Sequence, residues 1–184
     1  GNVGAELDAI LEIYPAPLTL VAPSFPPAGR AVVNGTLTVD GTPVHRTSIG
    51  RDPVAPVRQS HLPTRLRGQS RRSIQHLPLD ILRARWPRAV KVIRSWQPTR
   101  GGLVVADAAS RTDLRRLARL IAEEGLLGVA AGSAGLAAAL SLALPWGCRA
   151  MRRLSRVEQP ILLVVGSPNP TSLSQVADFE RRRS

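Results

Sequence analysis

Apolar positions along this chain follow two alternating patterns. In GNVGAELDAILEIY, Val3, Leu7, Ile10 and Leu11 recur at helical spacing behind a Gly-Asn start, which predicts an opening amphipathic helix. PLTLVA, Pro17 to Ala22, is a continuous apolar run closed by Pro23, as expected of a strand buried on both faces. AVVNGTLTVDGTPVH reads as extended segments turning at Asn34-Gly35 and Asp40-Gly41, dipeptides that accept positive φ, so a hairpin excursion is expected. SIQHLP then precedes a helix-like LDILRARW, and GGLVVADA is a second buried strand. SRTDLRRLARLIAEEG is a helix with Leu114, Leu117, Leu120 and Ile121 on one face, Ser110 or Thr112 as its cap and Gly125 as its stop. A buried strand over Leu126 to Ala130, a glycine turn and a buried helix over about Ala134 to Leu144 follow. QPILLVVGS is one more strand, and TSLSQVADFERRR one more helix.

Strands alternating with helices imply βαβ units, and so an α/β fold with a mostly parallel sheet flanked by helices. Ligands of such sheets collect beyond the carboxyl ends of the strands. That rule selects APSFPPAGR, ADAAS, AGSAG and GSPNPTS, where small residues let backbone N–H groups approach an anion. A GS or GSAG turn before a helix is more often a tight packing turn than a ligand site. There is no GxxxxGK[ST] loop, no GxGxxG fingerprint and no assignable nucleophile triad. Carboxylate pairs are scarce: Glu6 and Asp8 share the first helix, and Glu123 and Glu124 read as solvent-facing.

Composition narrows the classes. The 184 residues are 43% hydrophobic, enough to bury a real core, and the sixteen prolines and fifteen glycines punctuate apolar runs rather than form a linker. The net charge of +12 invites an anionic partner. Lys91 is the only lysine, however, the arginines are dispersed, and the few aromatic residues do not interleave with them as a base-stacking platform requires. A solvated basic surface is the expectation, with a nucleic-acid-binding module as the rival. A lone Cys148 excludes an internal disulfide and fits a reducing cytoplasm. His45, His61 and His76 have no metal-ligand spacing, so no metal site is expected. Residues 125–148 carry no charge and end before Arg149, which makes a membrane span the second rival. Their Ala/Gly content and central GSAG favour the split into strand, turn and helix.

Taken in order, GNVGAELDAIL, LTLVAPSFPPAGRAVVNGTLTVDGTPVHRT, RDPVAPVRQSHLPTRL, LPLDILR, LVVADAASRTDLRRLA, GSAGLAAAL and ILLVVGSPNPTSLSQV resemble the four-carbon acid sugar kinase family. Members phosphorylate threonate, erythronate or 3-oxo-tetronate with ATP. The resemblance implies a sugar-acid-binding domain over 1–150 and, over 151–184, a linker and the start of an ATP-binding domain. Gly1 and Asn2 match the end of the family's DSTLRGN motif, which implies that the opening part of the substrate domain lies upstream. The rest of the nucleotide domain is implied downstream. These residues alone are accordingly expected to be inactive.

The resemblance also implies roles, position by position. Family members hold an anionic polyol acid at the rim of the first domain, which makes Asn2 a partner for its hydroxyls. Arg30 of AGR and Arg51 of RDP are implied for its carboxylate, which a guanidinium meets bidentately. Asp52 accepts from substrate hydroxyls or orients Arg51. Ser133 and Gly135 of GSAGL offer a hydroxyl and backbone donors. Gly166, Ser167 and Asn169 match the family's GSCSxxT nucleotide motif, with Asn169 at its second serine and Ser172 at its threonine. ATP and Mg²⁺ are the implied cosubstrate and ion; no catalytic base is assigned.

Overall fold

The computed structural model describes residues 2–53, 55–96, 101–125, 128–145, 162, 164–166 and 170–182. They divide into two compact units, Gly1–Trp146 and Gly147–Ser184. The first unit is built on four parallel strands. β1 (Leu18–Ala22) and β6 (Gly102–Ala106) are buried along their whole length, because helices and loops cover both faces of the sheet. β5 (Ser73–Leu77) and β7 (Val129–Gly132) complete the order β5-β6-β1-β7.

Strand alternation divides the core in two. Leu18, Leu20, Val104, Ala106 and Leu77 face one way, toward α3 (Leu79–Arg83), α4 (Trp86–Arg94), α5 (Arg111–Glu124) and α6 (Ala134–Ala143). Val21, Leu103, Val105 and Ile74 face the other way, toward Leu7 and Leu11 of α1 (Val3–Ile13) and Leu62 and Leu66 of α2 (Leu62–Arg67). On that second side lies an antiparallel sheet of β2 (Arg30–Val33), β3 (Thr36–Val39) and β4 (Thr42–Pro43). Asn34 and Asp40 have φ of +48° and +47°, and the glycines after them +70° and +75°, as tight hairpin turns require.

Four expectations are revised. The helix over LDILRARW is two helices: Ala84 is extended, Pro87 sits in the first turn of α4, and Arg116 donates to the carbonyls of Leu82 (2.8 Å) and Ala84 (2.6 Å) at the end of α3. β7 begins at Val129 rather than Leu126, set by its register with β1 from Thr19↔Val129 to Ala22↔Gly132, and as an edge strand it is only half covered. Leu126 and Leu127 lie outside the described residues. In α6 only Leu136 and Ala139 are buried, and Leu142 is 77% exposed. The strand expected over 159–167 is not seen at the described positions Leu162, Val164, Val165 and Gly166, where the leucine and both valines are exposed. The following helix is present as α7 (Pro170–Arg181).

Among the described residues no helix is long and apolar enough to cross a membrane. At about 1.5 Å per residue α6 spans roughly 15 Å, half a hydrocarbon core.

An ion pair between the half-exposed Arg83 and the buried Asp113 ties α3 to α5. Arg83 Nε and Nη2 donate to the two oxygens of Asp113 at 2.8 Å each, and the Asp113 side chain is 2% exposed. Asp113 also receives the Ala109 N–H (3.0 Å) and the Ser110 hydroxyl (2.8 Å), while Ser110 Oγ caps α5 by accepting the Asp113 N–H (3.1 Å). Burial raises the carboxyl's pKa, but the hydrogen bonds from Arg83, Ala109 and Ser110 and the charge of Arg83 outweigh it and lower it to about 2. A folded-state pKa below the unfolded one stabilises the fold above the usual carboxylate range, and that stability is lost as pH falls through about 2. Asp113→Asn is expected to cost roughly 2 kcal/mol at neutral pH. In urea melts at a series of pH values, its deficit relative to the wild type closes between about pH 4 and about pH 2.

Candidate functional site

The carboxyl ends of β1, β6 and β7 carry the loops that the α/β rule selects. Asp107, the residue after β6, is fully buried. Its Oδ2 accepts the Asn34 N–H at 2.7 Å, and its Oδ1 accepts the Gly35 N–H at 2.9 Å and lies 2.8 Å from His76 Nε2. The next residue, Ala108, exchanges two backbone hydrogen bonds of 3.0 Å with Val32. One loop thus fastens the hairpin to the main sheet. Gly35 is required there, since a Cβ at its φ of +70° would stand 2.9 Å from His61 Nε2.

On the neighbouring strand ends, Ser133 caps α6. Its Oγ accepts the Gly135 N–H at 3.0 Å and donates to the Ser24 carbonyl in the loop after β1. Ser24 Oγ is itself buried with no hydrogen-bond partner among the described residues. Phe25 follows, pairs with Arg30 through two backbone bonds (2.9 and 3.1 Å), and packs so close to Gly135 that a Cβ there would lie 3.0 Å from its ring. Beside this knot a cleft of about 380 Å³ opens between Phe25 and Pro27, Arg111 and Arg115 of α5, and Gly135 and Leu142 of α6. It joins an apolar floor to two guanidinium groups.

The structure therefore brings the backbones of Arg30, Ser133 and Gly135 to one corner, around Phe25. Asn2 is elsewhere: the first turn of α1 lies against Gln69 and Ser70, where Gly4 N–H meets Gln69 Oε1 at 3.2 Å, beside the chain entering the amino end of β5. Arg51 is exposed in the segment after β4 and donates to the Arg46 carbonyl at 3.3 Å. Asp52 Oδ1 accepts the Ala55 N–H at 2.8 Å, a local turn. Gly166 is exposed in the second unit, and Ser167 and Asn169 lie outside the described residues. The histidines serve separate contacts: His45 with Ser60, His61 with Thr64 and His76 with Asp107. Among the described residues no three His, Cys, Asp or Glu side chains converge as metal ligands.

Sequence reasoning marked the ADAAS loop but passed over Asp107, as well as Ser24, Phe25 and Arg111. The signal for Asp107 was an acid set directly behind an all-apolar strand.

This architecture is that of an α/β domain with loops gathered at the carboxyl ends of parallel strands. The chain belongs to the family described as the sugar-binding N-terminal domain, whose model matches residues 1–140. It is 35% identical to a D-threonate kinase of Bordetella bronchiseptica over 98% of this chain and 40% of that protein. With a D-erythronate kinase of Heliobacterium modesticaldum it is 30% identical, over 100% of this chain and 41% of the relative. A crystal structure of a Haemophilus influenzae protein shares the fold at a TM-score of 0.69 and 22% identity, covering 77% of this chain and 34% of that one. The chain thus spans about 40% of the length of the curated relatives it matches.

Removing the Asp107 carboxylate strands two backbone donors and a histidine in a buried place. Asp107→Ala is expected to lower stability by on the order of 3 kcal/mol in urea unfolding, against under about 1 kcal/mol for Asp52→Ala, whose carboxylate serves an exposed turn.

Proposed function

We propose that this chain is the substrate-holding part of a phosphotransferase that moves the γ-phosphoryl group of ATP to a hydroxyl of a four-carbon sugar acid such as threonate, erythronate or 3-oxo-tetronate. The observation that carries this reading is the knot of Ser24, Arg30, Ser133 and Gly135 in a chain whose relatives are named as kinases of such acids. Arg30 is exposed and pairs with no acid among the described residues, so its guanidinium is available to a carboxylate. The remaining lone pair of the half-buried Ser133 hydroxyl is of a kind to pair with a substrate hydroxyl.

Phosphoryl transfer depends chiefly on positioning and on neutralising charge. Holding the acid by its carboxylate fixes which hydroxyl faces outward. The described residues supply no ligand set for Mg²⁺, and no step is assigned to the ion here. ATP and Mg²⁺ rest on the family resemblance, with Gly166, Ser167 and Asn169 as the proposed nucleotide contacts. Asn2, Arg51 and Asp52 stand outside the knot, and a substrate role for them needs the acid to reach beyond it.

The test is calorimetric. D-threonate at about a hundred times its dissociation constant should stabilise the chain by about 2.7 kcal/mol and raise its melting temperature by roughly 5–10 °C. Arg30→Ala should weaken binding at least about tenfold, the loss of a charge-assisted hydrogen bond. Equal stabilisation by the uncharged tetritol would contradict carboxylate recognition. In a coupled ADP-release assay these residues alone should give no turnover; turnover would contradict the proposed division of labour.

A further inference from the structure

The solvent side of the helical layer is strongly basic, and the sugar-acid reading does not use most of it. Arg85, at the cap of α4, and Arg88 and Lys91 within it are exposed and form no ion pair with a described residue. The row continues onto α5 through Arg119, whose guanidinium stacks 4.4 Å above the Trp86 ring, and then to Arg115 and Arg111 at the edge of the cleft. Spacings of three residues on α4 and four on α5 set these cations about 4.5 and 6 Å apart along helices of roughly 14 and 21 Å. Acidic relief is limited. Glu124 is taken by Arg94 (3.0 Å) and Trp86 Nε1 (3.1 Å), Glu123 by Arg119 (2.7 Å), and Asp113 is buried under Arg83, which leaves Asp80 of α3 as the exposed acid outside an ion pair.

We propose that the α4–α5 face binds the phosphodiester backbone of double-stranded nucleic acid without regard to sequence. A row of exposed cations on two helices, of which Arg85, Arg88, Lys91, Arg111 and Arg115 form no ion pair with a described residue, suits a regular polyanion. A lipid surface would require apolar anchors beside the charge. Beside the row stands Leu142, an exposed leucine next to Arg111 and Arg115, while Trp86 is half-buried under Arg119 with its N–H already used, which is little apolar surface for a bilayer. The shortage of aromatic residues interleaved with the arginines bears on base reading and single strands, not on backbone contact.

The experiment is fluorescence anisotropy of a short labelled DNA duplex with the whole chain. Contacts to about four phosphates predict an affinity that falls roughly a hundredfold between about 50 and 200 mM salt. Arg85→Glu/Arg88→Glu/Lys91→Glu should weaken binding at low salt by more than about tenfold and flatten the salt slope by about three. Arg46→Glu/Arg58→Glu/Arg67→Glu, with the same change of net charge on other exposed positions, should weaken it less than about threefold. Circular dichroism checks folding, and if the Glu set does not fold, the Gln set at the same three positions should weaken binding by about tenfold. No binding at about 50 mM salt, equal losses in both triple variants, or binding to anionic vesicles without binding to duplex would each overturn the proposal.

Discussion

A single buried carboxylate governs how the two sheets of this protein meet. Asp107 ends the central strand β6 with no exposure to water, a position where an unpaired charge would be strongly unfavourable. It is tolerated because the turn of the hairpin brings the Asn34 and Gly35 N–H groups to its two oxygens and β5 brings His76. The dependence runs both ways. The turn needs an acceptor for its amides, the carboxylate needs donors, and neither is satisfied until hairpin and sheet have docked.

That docking decides which loops meet at the carboxyl ends of the strands. With its turn fixed at Asp107, the hairpin must begin at Arg30, beside Phe25 and the end of β1. Ser133 closes the same corner from β7 by bonding the Ser24 carbonyl. The rim is thus a junction of three loops held by hydrogen bonds rather than by a packed core, which leaves polar groups and a cleft at the surface. Behind it, the Arg83–Asp113 pair and the contacts of Arg116 brace α3 against α5, so the layer that supports the rim is fastened by charge as well as by leucines.

Much of the fold is legible in the residues because its signals are local. The all-apolar runs of β1 and β6, the Asn-Gly and Asp-Gly turns, and the Ser110 and Gly125 caps of α5 each declare themselves within a few positions. What escapes depends on distant partners. Asp107 meets residues 72 and 73 positions away, and Ser133 meets Ser24 across 109. The register of β7 is chosen by β1, and the break between α3 and α4 is completed by Arg116. The six-residue α2, with Pro63 in its first turn, is too short to show a period. For the site, Ser133 and Gly135 could be found as a small-residue turn after a strand; Asn2 and Arg51 came from family resemblance alone, and the fold does not bring them to the same loop.

The proposed carboxylate-binding corner joins the hairpin, held by Asp107, to the ends of β1 and β7. Hydrogen–deuterium exchange of the chain with and without D-threonate tests it most directly. Slowed exchange concentrated in 24–35 and 133–137 is the predicted result. Protection confined to α1 or to the segment around Arg51, with those two stretches unchanged, would contradict it.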